Sequence, residues 1–127
     1  MKNTIATLFS LLLMFSIVSC KKEGRDRQEV KTVVLNETVA PGATFELNLS
    51  QYAEEDDLAT IFTQASHFTV SEITKEGMSG NFLYKYVPKT PTKTDVPNTD
   101  QVVLKVAEPE EKCDQDVTTI TINFTIK

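Results

Sequence analysis

Histidine occurs once in these 127 residues, tryptophan not at all, cysteine twice and glycine four times. One His removes most metal and acid–base constellations. A copper site of the cupredoxin kind needs two His and a Cys, usually with a weak Met, and His67 and Cys113 fall one ligand short. A Ser/His/Asp triad would have to use His67, and no Gly-x-Ser-x-Gly turn is present. Two Cys exclude a disulfide-dense scaffold, and four Gly exclude a collagen-like chain. Basic residues are also short, 13 against 18 acidic, for a net charge of −5. That balance speaks against nucleic acid, whose phosphates demand clustered Lys and Arg. No apolar run reaches the ~20 residues of a membrane-spanning helix. The longest, Ile5 to Val18, has the length of a secretory h-region behind the single positive charge of Lys2.

Ile17-Val18-Ser19-Cys20 closes that run and resembles the bacterial lipobox: an aliphatic residue, a variable one, a small one and Cys. The resemblance implies a lipoprotein signal over residues 1–19, with Cys20 as the lipid attachment site and first residue of the mature chain. Ile17 at −3 fits ordinary signal cleavage poorly, which favours that reading. Each buried methylene contributes ~0.8 kcal/mol, so two or three acyl chains hold effectively permanently. Lys21 and Lys22 stand where an Asp would signal inner-membrane retention, so the outer membrane is expected. Its periplasmic and surface faces both stay open. Residues 20–29 contain no apolar residue beyond Cys20 and are densely charged, the composition of a solvated tether. Cys113, with Cys20 consumed by lipid, has no intramolecular partner. It sits among carboxylates that disfavour its thiolate, and is read as an exposed thiol in a hairpin loop.

From Val30 onward the dominant period is two, the mark of half-buried strands. Val33 and Leu35 share a face, as do Phe45, Leu47 and Leu49, with the Pro41-Gly42 turn signal between them. Phe82, Tyr84 and Tyr86 form a third set, and Val102, Leu104 and Val106 a fourth. Ile120, Ile122, Phe124 and Ile126 form the clearest. Residues 58–73 fit both a helix and a strand pair, and the surrounding pattern favours strands. The whole predicts an all-β fold, an antiparallel β-sandwich of about seven strands over residues 30–127.

Tyr84-Lys-Tyr-Val-Pro88, then Asn98-Thr-Asp100 before Gln101 to Val106, an acidic loop and Val117 to Ile126 resemble bacterial immunoglobulin-like and cadherin-like domains. The resemblance covers about 45 residues. It implies an immunoglobulin-like sandwich used for spacing, adhesion or ligand display. Asn98 stands where that family has Gly, as a residue tolerant of positive φ. Asp100 is expected to accept backbone N–H bonds and fix a turn.

The function expected on this basis is a non-catalytic immunoglobulin-like module on a membrane-anchored envelope lipoprotein, for protein binding or structural display. The alternative is a glycan-binding accessory lipoprotein of a cell-surface uptake system, with Tyr52, Tyr84 and Tyr86 as stacking faces. An envelope protein or a glycan is the expected partner, the lipid anchor supplies the membrane contact, and no cofactor is expected. Glu54 to Asp57, and Glu108 to Glu111 with Asp114 and Asp116, make calcium thinkable. The cadherin linker motif is lacking, however, and solvated acidic loops are the reading taken. His67 is read as a surface or boundary residue.

Overall fold

The computed structural model describes residues 29–77, 81–90, 98–109 and 116–127. Within them the chain forms seven strands and one 3-10 turn. These are β1 (Val30–Val39), β2 (Phe45–Asn48), the turn Leu49–Tyr52, β3 (Leu58–Thr63), β4 (Phe68–Glu76), β5 (Asn81–Pro88), β6 (Thr99–Ala107) and β7 (Val117–Ile126). One sheet has the order β1-β7-β6-β3 and the other β2-β5-β4. The residues 58–73 that fitted two periods are strands, β3 and the first part of β4.

Alternation decides which face is inward. Ile120, Ile122 and Phe124 of β7, Val102, Leu104 and Val106 of β6, and Phe82, Tyr84 and Tyr86 of β5 are all buried, with Val39, Leu49 and Ala65. Val33, Leu35, Phe45, Leu47 and Ile61 pack against them at the edges. Each fully buried aliphatic or aromatic side chain contributes roughly 1.5–3 kcal/mol, so this layer between the sheets is what holds them face to face. The Phe124 ring stacks on Tyr86 at 3.9 Å between centroids and meets the Phe45 edge at 5.3 Å. Between β1 and β2, Ala43 N–H donates to the Ala40 carbonyl at 2.9 Å, with Gly42 at φ 73°. Pro41 then Gly42 are the residues a type II turn demands.

Three expectations are corrected. The sandwich is not wholly antiparallel: β1 pairs parallel to β7, Val30 opposite Val117 through Val39 opposite Ile126. A period of two fixes the buried face but not the direction of the neighbour. Leu49 does not extend β2. It opens the 3-10 turn, yet stays fully buried. Asn98 does not use positive φ, since among the described residues only Gly42 and Gly77 have it. Its carbonyl instead accepts from Ile126 N–H at 2.7 Å, fastening the start of β6 to the end of β7.

Candidate functional site

Strand directions place the chain's connections at two ends of the sandwich. β1 and β7 start at the end where β2, β4 and β6 finish. The 49–57 connection, the strand ends bounding 77–80 and 108–116, and Glu29 therefore share that end. Loops held at strand ends by a rigid sandwich are the usual carriers of function.

The 49–57 connection is ordered by its own residues. The Asn48 side-chain oxygen accepts from Ser50 N–H at 2.9 Å, capping the 3-10 turn. Leu49 anchors that turn in the core, and Tyr52 and Ala53 pack against the same cluster. Beyond them Asp57 N–H donates to the Glu54 carbonyl at 3.1 Å, and Glu54 N–H returns to Asp57 Oδ2 at 2.8 Å. Asn48→Ala removes the cap, and is expected to cost about 1 kcal/mol, read as a lower midpoint in urea with unchanged slope.

Beside this loop Glu29 N–H donates to Asp116 Oδ1 at 3.1 Å, while Val117 N–H donates to the Glu29 carbonyl at 3.0 Å. The two bonds clasp the first described residue to the start of β7. Glu29, Glu54, Asp57, Glu108 and Asp116, with Lys31, line a groove of about 290 Å³ together with Gln51, Tyr52, Ala53 and Thr118. Five carboxylates against one ammonium give this end a negative field, which draws in cationic groups from a distance. Among the described residues no three His, Cys, Asp or Glu side chains are grouped to hold a metal ion.

The opposite end is built around Asp100. Its Oδ1 accepts from Ser66 N–H at 2.8 Å and Gln101 N–H at 2.9 Å; its Oδ2 accepts from His67 N–H at 2.9 Å and the Tyr86 hydroxyl at 2.9 Å. Burial works to raise the Asp100 pKa. The donors from Ser66, His67, Tyr86 and Gln101 outweigh it and hold the carboxyl below its ordinary value. The carboxylate thus fixes more than a local turn: it ties β6 to the 64–67 connection and to β5 of the facing sheet. Four donors use the acceptor sites a carboxylate offers, so Asp100 is not free to orient or deprotonate a neighbour. His67 is half-buried, and its carbonyl accepts from Lys89 N–H at 3.1 Å. Burial pushes the Tyr86 hydroxyl pKa up, and its bond to Asp100 adds to the rise. The Tyr84 hydroxyl is pushed up to about 12, chiefly by burial, and lies 2.8 Å from Ser71 Oγ.

Of the other singled-out residues, Cys20, Cys113, Glu110, Glu111 and Asp114 lie outside the described residues, as do the 1–19 signal and the 20–28 part of the tether. Sequence reading missed the Asn48 cap, the Leu49 anchor and the Glu29–Asp116 clasp. Asn-Leu-Ser at 48–50 was a visible cue for the first, because an Asn oxygen reaches a backbone N–H two residues on.

No protein-family profile matches the sequence, and no curated protein does. Two solved structures are similar to it. PbICP-C, solved in complex with falcipain-2, shows 11% identity and a TM-score of 0.47 over 82% of this chain and 95% of that one. The cysteine protease inhibitor EhICP2 of Entamoeba histolytica shows 14% identity and a TM-score of 0.45 over 77% of this chain and 97% of that one. The expected display module and its glycan-binding alternative are corrected here. The proteins found beside this chain are a cysteine protease inhibitor and a partner of falcipain-2. The stacking role fails on geometry as well for Tyr84 and Tyr86, which are 0% exposed, while Tyr52 is half-buried at the groove.

Proposed function

We propose that the chain is an inhibitor acting by contact, with the ordered 49–57 loop and the acidic groove beside it occupying the cleft of a protein partner. The observation that carries this reading is that the loop is built before any partner arrives. Asn48 caps it, Leu49 pins it in the core, and the Glu54–Asp57 turn closes it. A loop already in one conformation loses little entropy on docking, and that loss is what usually erodes affinity. The carboxylates add steering toward a basic rim.

The experiment titrates the folded full-length chain into a panel of proteases. Cysteine proteases come first, as the class named for one of the two similar structures, and serine proteases serve as the contrast. Activity of at least one cysteine protease is expected to fall with a stoichiometric end point. Glu54→Lys combined with Tyr52→Ala is expected to raise the inhibition constant at least tenfold without lowering the melting temperature below that of Tyr52→Ala alone. Full activity of every cysteine protease under excess folded protein would overturn the reading.

The strand order, with β1, β7, β6 and β3 over β2, β5 and β4, supports an immunoglobulin-like assignment of the sandwich. The resemblance of Ile17 to Cys20 to the lipobox supports lipid attachment at Cys20, and Lys21 and Lys22 in place of a retention Asp support residence at the outer membrane. On this reading Cys20→Ala moves the protein from the membrane fraction to the soluble fraction, and continued membrane retention of that variant contradicts the anchor.

A further inference from the structure

The outward faces of the two sheets differ in charge. On the β2-β5-β4 sheet, Glu46, Lys85, Glu72 and Glu76 point outward in register, with Lys85 Nζ 3.9 Å from Glu46. The outward positions of the other sheet read Val30, Thr32, Val34, Asn36 and Thr38 on β1, and Val117, Thr119, Thr121, Asn123 and Thr125 on β7. β6 adds Thr99, Gln101, Val103 and Lys105, and β3 adds Leu58, Thr60 and Thr63, with Phe62 exposed at the bulge between Ile61 and Thr63. Lys105 is the single charge among these described positions, in a chain where 24% of residues are charged. The large apolar side chains left exposed among the described residues all fall on this face: Val30 at 63%, Val34 at 57%, Leu58 at 50% and Phe62 at 73%.

Its polar centre is already satisfied. Gln101 Nε2 donates to Asn123 Oδ1 at 2.7 Å, and Asn123 Nδ2 donates to Asn36 Oδ1 at 3.0 Å, an amide ladder across three strands. Amides bonded to one another lose less on dehydration than amides that must give up water. Charge depletion, exposed apolar side chains and self-satisfied polar groups are what the centre of a protein interface requires.

We infer that this sheet face is a self-association surface, its occupant the same face of a second copy of the chain. Charge selects that occupant. At a net charge of −5, two copies repel at long range, and the repulsion is least where a nearly uncharged face meets its like. A two-fold pair needs only a self-complementary patch. Strands about 4.8 Å apart and about 3.3 Å per residue make a four-stranded face of roughly 500 Å². A pair would then bury on the order of 1,000 Å² in total, the lower bound of specific interfaces and the size of a reversible dimer. The surface is separate from the 49–57 loop, so neither reading depends on the other.

Sedimentation velocity of the purified full-length chain tests it, with Val103→Glu and Thr121→Lys on the face and Glu72→Lys on the opposite sheet. A reversible dimer is expected, weakened at least tenfold by either face variant and unchanged by Glu72→Lys, with circular dichroism confirming that each variant folds. A photo-crosslinking residue in place of the exposed Phe62 keeps the question decidable if a face variant misfolds, and it is expected to trap a homodimer in cells. A monomer at every concentration, a dimer indifferent to the face variants, or a crosslink to a different protein in place of the second copy would each overturn the inference.

Discussion

Replacing Asp100 with Ala is expected to destabilise the protein by about 3–5 kcal/mol, because it strands three backbone N–H donors and a buried hydroxyl, at roughly 1–3 kcal/mol for each that water cannot reach. Asp100 and Tyr86 are both buried, so relaxation toward solvent recovers only part of that. Asp100→Asn keeps the shape and half of the acceptor capacity, and should fall between the two. The acid profile supplies an independent readout. The folded carboxyl lies below its ordinary value of 3.8, so the carboxylate adds stability above that value. The contribution is lost as pH falls through the depressed folded value. Melting temperatures measured from pH 6 downward should therefore decline more steeply below about pH 4 in the parent than in Asp100→Asn. Parallel curves would show that the four donors do not favour the charged form.

Phe124→Ala is the second large effect, expected at about 3–5 kcal/mol. Its ring fills the layer between the sheets, stacked on Tyr86 and edge-on to Phe45. Its loss opens a cavity that two aromatic neighbours, each fixed by its own strand, cannot collapse into. Phe124→Leu refills much of the volume and should cost under half as much. The two aromatic contacts would contribute ~0.5–1.5 kcal/mol each beyond area burial, so a Leu variant as stable as the parent would assign the whole effect to volume. Urea unfolding at constant slope separates these outcomes. Phe124 and Asp100 share Tyr86, so the double variant should cost less than the sum of the singles.

The inward faces of this fold were legible because alternation is a direct consequence of the pleat. Ile120, Ile122 and Phe124 could face the core together only if Thr121 and Asn123 faced away. The same rule placed Tyr84 and Tyr86 inside, against their use as stacking platforms. What periodicity does not encode is which strand lies beside which. The parallel β1–β7 pair joins residues at opposite ends of the sequence, and nothing local to Val30–Val39 specifies direction. The role of Asp100 was half legible. Its corner position pointed to backbone acceptance, but Ser66 and His67 arrive from a connection more than thirty residues away. The 49–57 loop was hidden for a different reason. Leu49 continues the β2 alternation in sequence while the chain has already turned, so its burial was foreseen and its conformation was not. Outward residues such as Phe62 and Val34 were passed over because each is unremarkable alone. They belong to one surface only once the strand order places β1 and β3 at the two edges of the same sheet.

Hydrogen exchange on the full-length chain, alone and mixed with each cysteine protease of the panel, tests the proposed loop-end contact most directly. Slowed exchange is expected at residues 49–57 and at Glu29 and Asp116, with residues 64–67 at the far end unchanged. Protection confined to the far end or to the outer faces of the sheets, with 49–57 exchanging as in the free protein, would contradict it.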